Sequence, residues 1–228
     1  MSEKKKKKQE DVEMQNVQEA LSKSEAFIET YRKELLYGVA AVVVVVLAVL
    51  AFRTYYIAPR EVEAQEKMLT SVNYFERDSF RLALYGDGMN DGFDAIVDDY
   101  AFTDAAELAS AYAGVCAYQL GEYEVAIKYL DQFDGRSINM TPATIGLMGD
   151  CYVQLGDVKA ALKYFNRAAE TENELTAPIY LKKAGIAYES LGDYKNAEKA
   201  YTQIKEKYPR SQQASDIDKY IYFVQAKQ

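Results

Sequence analysis

Three stretches decide the fold: "LGEYEVAIKYL" (Leu120–Leu130), "LGDVKAALKYF" (Leu155–Phe165) and "LGDYKNAEKAY" (Leu191–Tyr201). Their glycines, Gly121, Gly156 and Gly192, are 35 and 36 residues apart. A second glycine stands seven residues before each: Gly114, Gly149 and Gly185. An alanine follows five residues after each: Ala126, Ala161 and Ala197. Self-similarity at such a period marks a repeat architecture in which each unit buries its apolar face against its neighbours.

The residue types suit a helix pair. The glycine after each leucine permits the left-handed turn that ends a first helix. Asp157 and Asp193 suit the N-cap of a second helix. Gly114, Gly149 and Gly185 allow two antiparallel helices to approach closely, and Tyr123, Val158 and Tyr194 fill the space between pairs. Pro142 and Pro178 open first helices, and Pro209 closes the last repeat. Beyond it Ala214, Ile217, Tyr220, Ile221 and Val224 mark one more amphipathic helix, a cap for the exposed end.

The pattern resembles the tetratricopeptide repeat (TPR) family over residues 107–210, as three repeats. The first is loosest, with "FDGRSINM" (Phe133–Met140) in place of a short turn. Residues 61–100 read as a degenerate opening repeat. Val62, Met68, Leu69, Val72 and Phe75 form one helical stripe, and Phe93, Ile96, Val97 and Tyr100 a second. Between them "DSFRLALYGDGMN" (Asp78–Asn90) has no counterpart. The expected fold is all-α: one N-terminal transmembrane helix, then an α-solenoid of TPR helix pairs with a C-terminal capping helix.

The resemblance implies a concave groove lined by first helices that binds peptides or protein segments. The first repeat would contribute Leu108, Ala111, Val115, Tyr118 and Gln119. The second would contribute Ala143, Gly146, Asp150, Val153 and Gln154, and the third Ile179, Lys182, Ile186, Glu189 and Ser190. This groove is mostly apolar and neutral. Ala111 and Val115 stand where the family's carboxylate clamp would place charged and amide groups, which disfavours a receptor for C-terminal carboxylates. An apolar groove suits unfolded segments or another protein's helix, and part of it can be filled by the chain's own opening repeat or cap.

"KELLYGVAAVVVVVLAVLAFRTYY" (Lys33–Tyr56) carries no charge from Leu35 to Phe52. With its flanks it can cross about 30 Å of hydrocarbon, with Tyr37, Tyr55 and Tyr56 at the headgroup layers. Val49-Leu50-Ala51 is a passable cleavage site by size, and a cleaved signal and a buried soluble helix remain the alternatives. A run longer than a signal's apolar region, begun after thirty-four residues, favours a retained anchor. Basic residues nearly balance across the span; the run Lys4–Lys8 tips the N-terminus toward the cytoplasm. That run also reads as a solvated tail. Between them Val17, Ala20, Leu21, Phe27, Ile28 and Tyr31 form an amphipathic segment, for the membrane surface or for a partner. The expected organisation is a cytoplasmic tail (1–34), an anchor (35–57), a degenerate repeat with an inserted loop (58–106), and three repeats plus a cap (107–228).

The 228 residues carry a formal net charge of −8, and most of the acidic excess follows residue 58. That disfavours nucleic acid as a partner. The chain has no histidine, so histidine-based nucleophile systems and the common zinc sites are excluded. Neither an enzyme nor a cofactor or small-molecule substrate is expected. Cys116 and Cys151 occupy one position in successive repeats, held by Ala187 in the third; adjacent helix axes stand too far apart for a bridge, so two buried thiols are expected. "DGMNDGFDAIVD" (Asp87–Asp98) only faintly matches a calcium loop, with Met89 at a ligand position.

The layout of helix, single span and acidic TPR domain resembles the YfgM-type inner-membrane proteins. That resemblance implies a bacterial inner-membrane protein with a cytoplasmic N-terminus and a periplasmic repeat domain. Its partners would be Sec translocon subunits, envelope chaperones or exported clients. The alternative is a scaffold subunit of another envelope complex, in outer-membrane assembly, division or cytochrome maturation.

Overall fold

The computed structural model describes residues 31–135 and 137–228. The lysine run and most of the amphipathic segment before the span lie outside the described residues. The chain divides into two units, residues 1–56 and 57–228.

In the first unit, α1 (Arg32–Phe52) has no hydrogen-bonded side-chain cap and buries none of its described residues. Val39, Val44 and Leu47 are each about 60% exposed or more, at 63%, 64% and 60%. Such uniform apolar exposure along a helix of this length is compatible with a membrane span. A π-helical turn, Arg53–Ile57, follows.

The second unit is built from helices in chain order. These are α2 (Ala58–Glu76), α3 (Phe80–Tyr85), α4 (Phe93–Asp99), α5 (Asp104–Gln119), α6 (Tyr123–Leu130) and α7 (Met140–Gln154). There follow α8 (Val158–Ala169), α9 (Ala177–Ser190), α10 (Tyr194–Lys207), a 3-10 turn (Gln212–Asp216) and α11 (Ile217–Gln225). The pairs α5–α6, α7–α8 and α9–α10 are the three repeats, each packed on its chain neighbours.

Every pair closes by one device. Gly121, Gly156 and Gly192 have φ of 80°, 80° and 74°. Each hydrogen-bonds back two residues beyond its predecessor, from Gly121 N–H to the Tyr118 carbonyl at 3.0 Å, and the next amide, Glu122 N–H, reaches the Ala117 carbonyl at 2.9 Å. The same two bonds recur at Gly156–Asp157 and Gly192–Asp193. This αL closure satisfies carbonyls that a helix end leaves open. Asp157 and Asp193 then cap the second helices, accepting from Ala160 N–H at 2.9 Å and Asn196 N–H at 3.2 Å.

The second glycine of each repeat sets the packing. Opposite Gly114, Gly149 and Gly185 lie Leu130, Phe165 and Tyr201, the last residues of the three stretches quoted above. A Cβ on Gly114 or Gly149 would stand 2.5 Å from those side chains. Ala126, Ala161 and Ala197, all fully buried, complete the contact. Cys116 and Cys151 are buried and unbridged.

The insertion is structured. It forms α3, which buries Ala83 and Leu84, and a loop pinned to α2. Asp87 accepts from the Tyr74 hydroxyl at 2.7 Å and from the Met89 and Asn90 amides at 2.8 and 2.7 Å. These bonds hold its carboxyl well below the usual carboxylate range. Lys67 Nζ meets Asp91 at 2.7 Å, and the buried Ser71 hydroxyl donates to the Asp91 carbonyl at 2.8 Å. The second predicted stripe, Phe93, Ile96, Val97 and Tyr100, is wholly buried. The first is corrected. Val62 and Leu69 are 59% and 70% exposed, because α2 turns Ala64, Met68 and Ser71 to the core and no other helix of the second unit covers its other flank.

At the far end α11 buries Ile217, Ile221 and Val224 as a cap. Asp216 holds it, bonded to Lys182 of α9 and Lys219 of α11, both at 2.8 Å. Asn173 joins two loops: its amide donates to the Ile138 carbonyl at 2.8 Å and to Asn139 at 2.9 Å, and its own carbonyl accepts from the Leu175 amide at 2.8 Å.

Candidate functional site

The first helices α5 and α7 border an open cavity of about 300 Å³. Ala111 and Val115 from α5 line it with Ala143 and Asp150 from α7, four of the residues expected in the groove. Small residues are what make it: Ala111 and Ala143 leave room where longer side chains would close the gap. Its walls are Phe75, which belongs to the first helical stripe, and Tyr112, Leu147 and Tyr180, which periodicity had not singled out.

Each wall residue is fixed by packing. Tyr112 stacks on Phe93 at 5.2 Å and meets Phe75 edge-on at 5.0 Å. Tyr180 from α9 covers the bare backbone of Gly146, so Gly146 is buried and does not reach the groove. Burial and the nearby Asp150 carboxylate push the Tyr180 hydroxyl up to about 12. The one charge in the lining, Asp150, is bonded at 2.6 Å to Lys183 of the next first helix. The cavity thus offers apolar and aromatic contact with a single neutralised ion pair at its edge.

The other expected residues are distributed along the same row of first helices. Leu108 lines a separate cleft against α2. Tyr118 is half-buried edge-on to Tyr123, at 5.6 Å. Gln119 and Gln154 are exposed near helix ends. Val153 and Ile186 are 42% and 49% exposed, apolar groups presented to solvent. None of the five residues expected from the third repeat lines this cavity. Ile179 lines a different hollow, of about 560 Å³, with Tyr208 and Pro209. Lys182 is committed to Asp216, and Glu189 accepts from the Tyr201 hydroxyl. Ser190 donates to the Ala187 carbonyl at 2.7 Å.

The sequence places Phe75 in a helical stripe but not in the groove, because the groove positions carry over only for residues 107–210. Tyr112, Leu147 and Tyr180 did have a signal: they are bulky residues within about one helical turn of Ala111, Ala143 and Ile179, on first helices already identified.

Among the described residues no group of three or more His, Cys, Asp or Glu side chains could hold a metal. Burial pushes the thiols of Cys116 and Cys151 up to about 12, which keeps them protonated and unreactive at neutral pH.

Residues 147–212 match the tetratricopeptide repeat family. No curated protein matches the chain. A crystal structure of kinesin light chain TPR-like repeats from Podosopora anserina is similar at 13% identity, covering 73% of this chain and 97% of that one, with a TM-score of 0.49. Residues 147–212 carry the tetratricopeptide repeat pattern, and the helix pairs α5–α6, α7–α8 and α9–α10 repeat one closure and one glycine contact along the all-helical second unit.

Proposed function

We propose that this chain is a membrane-anchored adaptor that holds segments of other proteins in its first-helix groove. One observation carries the reading: the cavity bordered by α5 and α7, with walls of Phe75, Tyr112, Leu147 and Tyr180 and a floor of alanines. Packing already holds those walls, so an apolar side chain can enter with little ordering cost. Exposed Val153 and Ile186 extend the apolar surface along the row. Such a surface supports protein binding; catalysis has no place in the proposal.

The anchor would be α1, retained in a bacterial inner membrane, with the N-terminus in the cytoplasm and the solenoid in the periplasm. Tethering raises local concentration, so individual contacts can be weak. The partners we propose are translocon subunits, envelope chaperones or exported clients. Photo-crosslinkers at Val115 and Val153 in native membranes test this, with the expected products being those proteins. Capture of none of them overturns the proposed partners. Capture of a single stoichiometric envelope subunit replaces the adaptor reading with that of a scaffold. A reporter fused after Gln228 tests topology, and a cytoplasmic signal overturns the proposed compartment.

A further inference from the structure

The opening end of the solenoid carries a second cleft, of about 320 Å³, between α2 and α5. Its floor is Met68, Leu69, Val72 and Leu108, and its rim holds Glu61 and Asp104. Leu69 is 70% exposed, and Val62, seven residues earlier on the same stripe, is 59% exposed. Seven residues are two turns, about 10 Å along a helix, so the two side chains present a linear apolar strip. The opposite end of the solenoid covers its strip with α11. At this end no helix of the second unit supplies such a cover.

The charge around the strip has one sign. Glu61 and Asp104 lie in the cleft, and Glu66 is exposed on α2 between Val62 and Leu69. None of the three makes an ion pair among the described residues. Glu61 is bonded only to neutral donors, the Gln65 amide at 2.6 Å and the Ala105 N–H at 3.2 Å. The cations of α2 are turned elsewhere: Lys67 to Asp91 at 2.7 Å, and Arg60 over the Tyr100 ring at 5.1 Å.

We infer that this cleft docks an amphipathic helix of another protein whose apolar residues are flanked by lysine or arginine. The apolar strip supplies contact area, and the uncompensated carboxylates select a cationic flank. A second copy of this chain is disfavoured as the occupant, because it would bring Glu61 and Glu66 against Glu61 and Glu66. The inference rests on the protein-binding reading above and shares α5 and Leu108 with that row of first helices, but it concerns a separate cleft with its own charge.

The test uses the full chain in nanodiscs of zwitterionic lipid and two synthetic helical peptides. Both repeat leucine at heptad spacing; one carries lysines on its flanks and the other glutamates. The lysine peptide is expected to bind, the glutamate peptide not, and added salt to weaken the binding. Leu69→Lys is expected to weaken binding by roughly tenfold or more, since it removes an exposed leucine that the bound helix would cover and adds a charge like the peptide's own. Its helix content should be unchanged, because Leu69 is already exposed. Ala143→Arg, which fills the other cavity, should leave the lysine peptide bound. Equal binding of both peptides overturns the inference, as does loss of binding in Ala143→Arg but not in Leu69→Lys. A crosslink from Leu69 to a second copy also overturns it.

Discussion

Tyr180 of α9 lies directly on the bare backbone of Gly146 in α7, and this one contact both spaces two repeats and forms a wall of the 300 Å³ cavity. A methyl group at Gly146 cannot coexist with the ring in its present place. Gly146→Ala is therefore expected to destabilise the solenoid by about 1–3 kcal/mol, the usual cost of overpacking. Urea denaturation checks it, and a midpoint unchanged from the parent would refute the contact. Gly149→Ala, against Phe165, should behave in the same way.

The cavity itself can be closed without touching the core. Ala143 is exposed at its edge, and Ala143→Arg would occupy the space. Crosslinking of partners from Val115 should fall by about tenfold or more, as expected when a central pocket in an interface is filled. Circular dichroism should stay constant, which separates this outcome from unfolding.

Asp150 and Lys183 form a half-exposed pair, with side chains 23% and 37% exposed. Pairs of this kind contribute about 0–1 kcal/mol. Lys183→Met should shift the unfolding midpoint only slightly. It would leave Asp150 uncompensated at the cavity edge, so binding of segments with a cationic residue should improve while stability barely moves. Titration with matched peptides is the measurement.

Alkaline pH should weaken the fold. Burial holds Cys116, Cys151 and Tyr180 protonated up to about 12, whereas in the unfolded chain they ionise at about 8.5 for Cys and 10 for Tyr. The folded state thus keeps protons that the unfolded state releases. Its advantage is complete below about pH 8.5 and is lost as pH rises toward 12. Urea midpoints measured between these limits should fall steadily. The double variant Cys116→Ala, Cys151→Ala, which copies the Ala187 register, should flatten the decline.

The cap has the opposite dependence. Lys182 and Lys219 hold the Asp216 carboxyl down at about 2. The contribution of this cluster is complete above the ordinary aspartate value of about 3.9 and is lost as pH falls toward 2. Amide exchange in α11 should accelerate over that window before exchange in α7 or α9 does. Asp216→Asn should produce the same local acceleration at neutral pH.

Most of the solenoid was legible because its physics repeats. Gly121, Gly156 and Gly192 need a left-handed backbone, and Gly114, Gly149 and Gly185 need closeness, so each leaves a periodic mark. Contacts made once leave none. Asn173, which ties two loops through Ile138 and Asn139, looks like any loop asparagine in the sequence. The Asp87 loop resembled at most a poor ion site until its bonds to Tyr74 and Asn90 were visible. Val62 and Leu69 fit a helical period, but period alone does not say which flank of a helix has a neighbour. Ala111 and Ala143 of the cavity lining follow from the repeat register, whereas Phe75 and Tyr180 reach the cavity from helices beyond the pair that frames it.

The three identical helix closures also make the chain editable. Removing Glu122 to Gly156 joins Leu120-Gly121 to Asp157-Val158, and the junction reads "LGDVKAAL", already a native closure. Gly114 would then face Phe165 in place of Leu130, as Gly149 does now. A shorter protein with one unit fewer should fold from the same instructions, and a duplication of that span should lengthen it. The footprint offered to a partner can thus change in whole steps during evolution, with no new joint to invent.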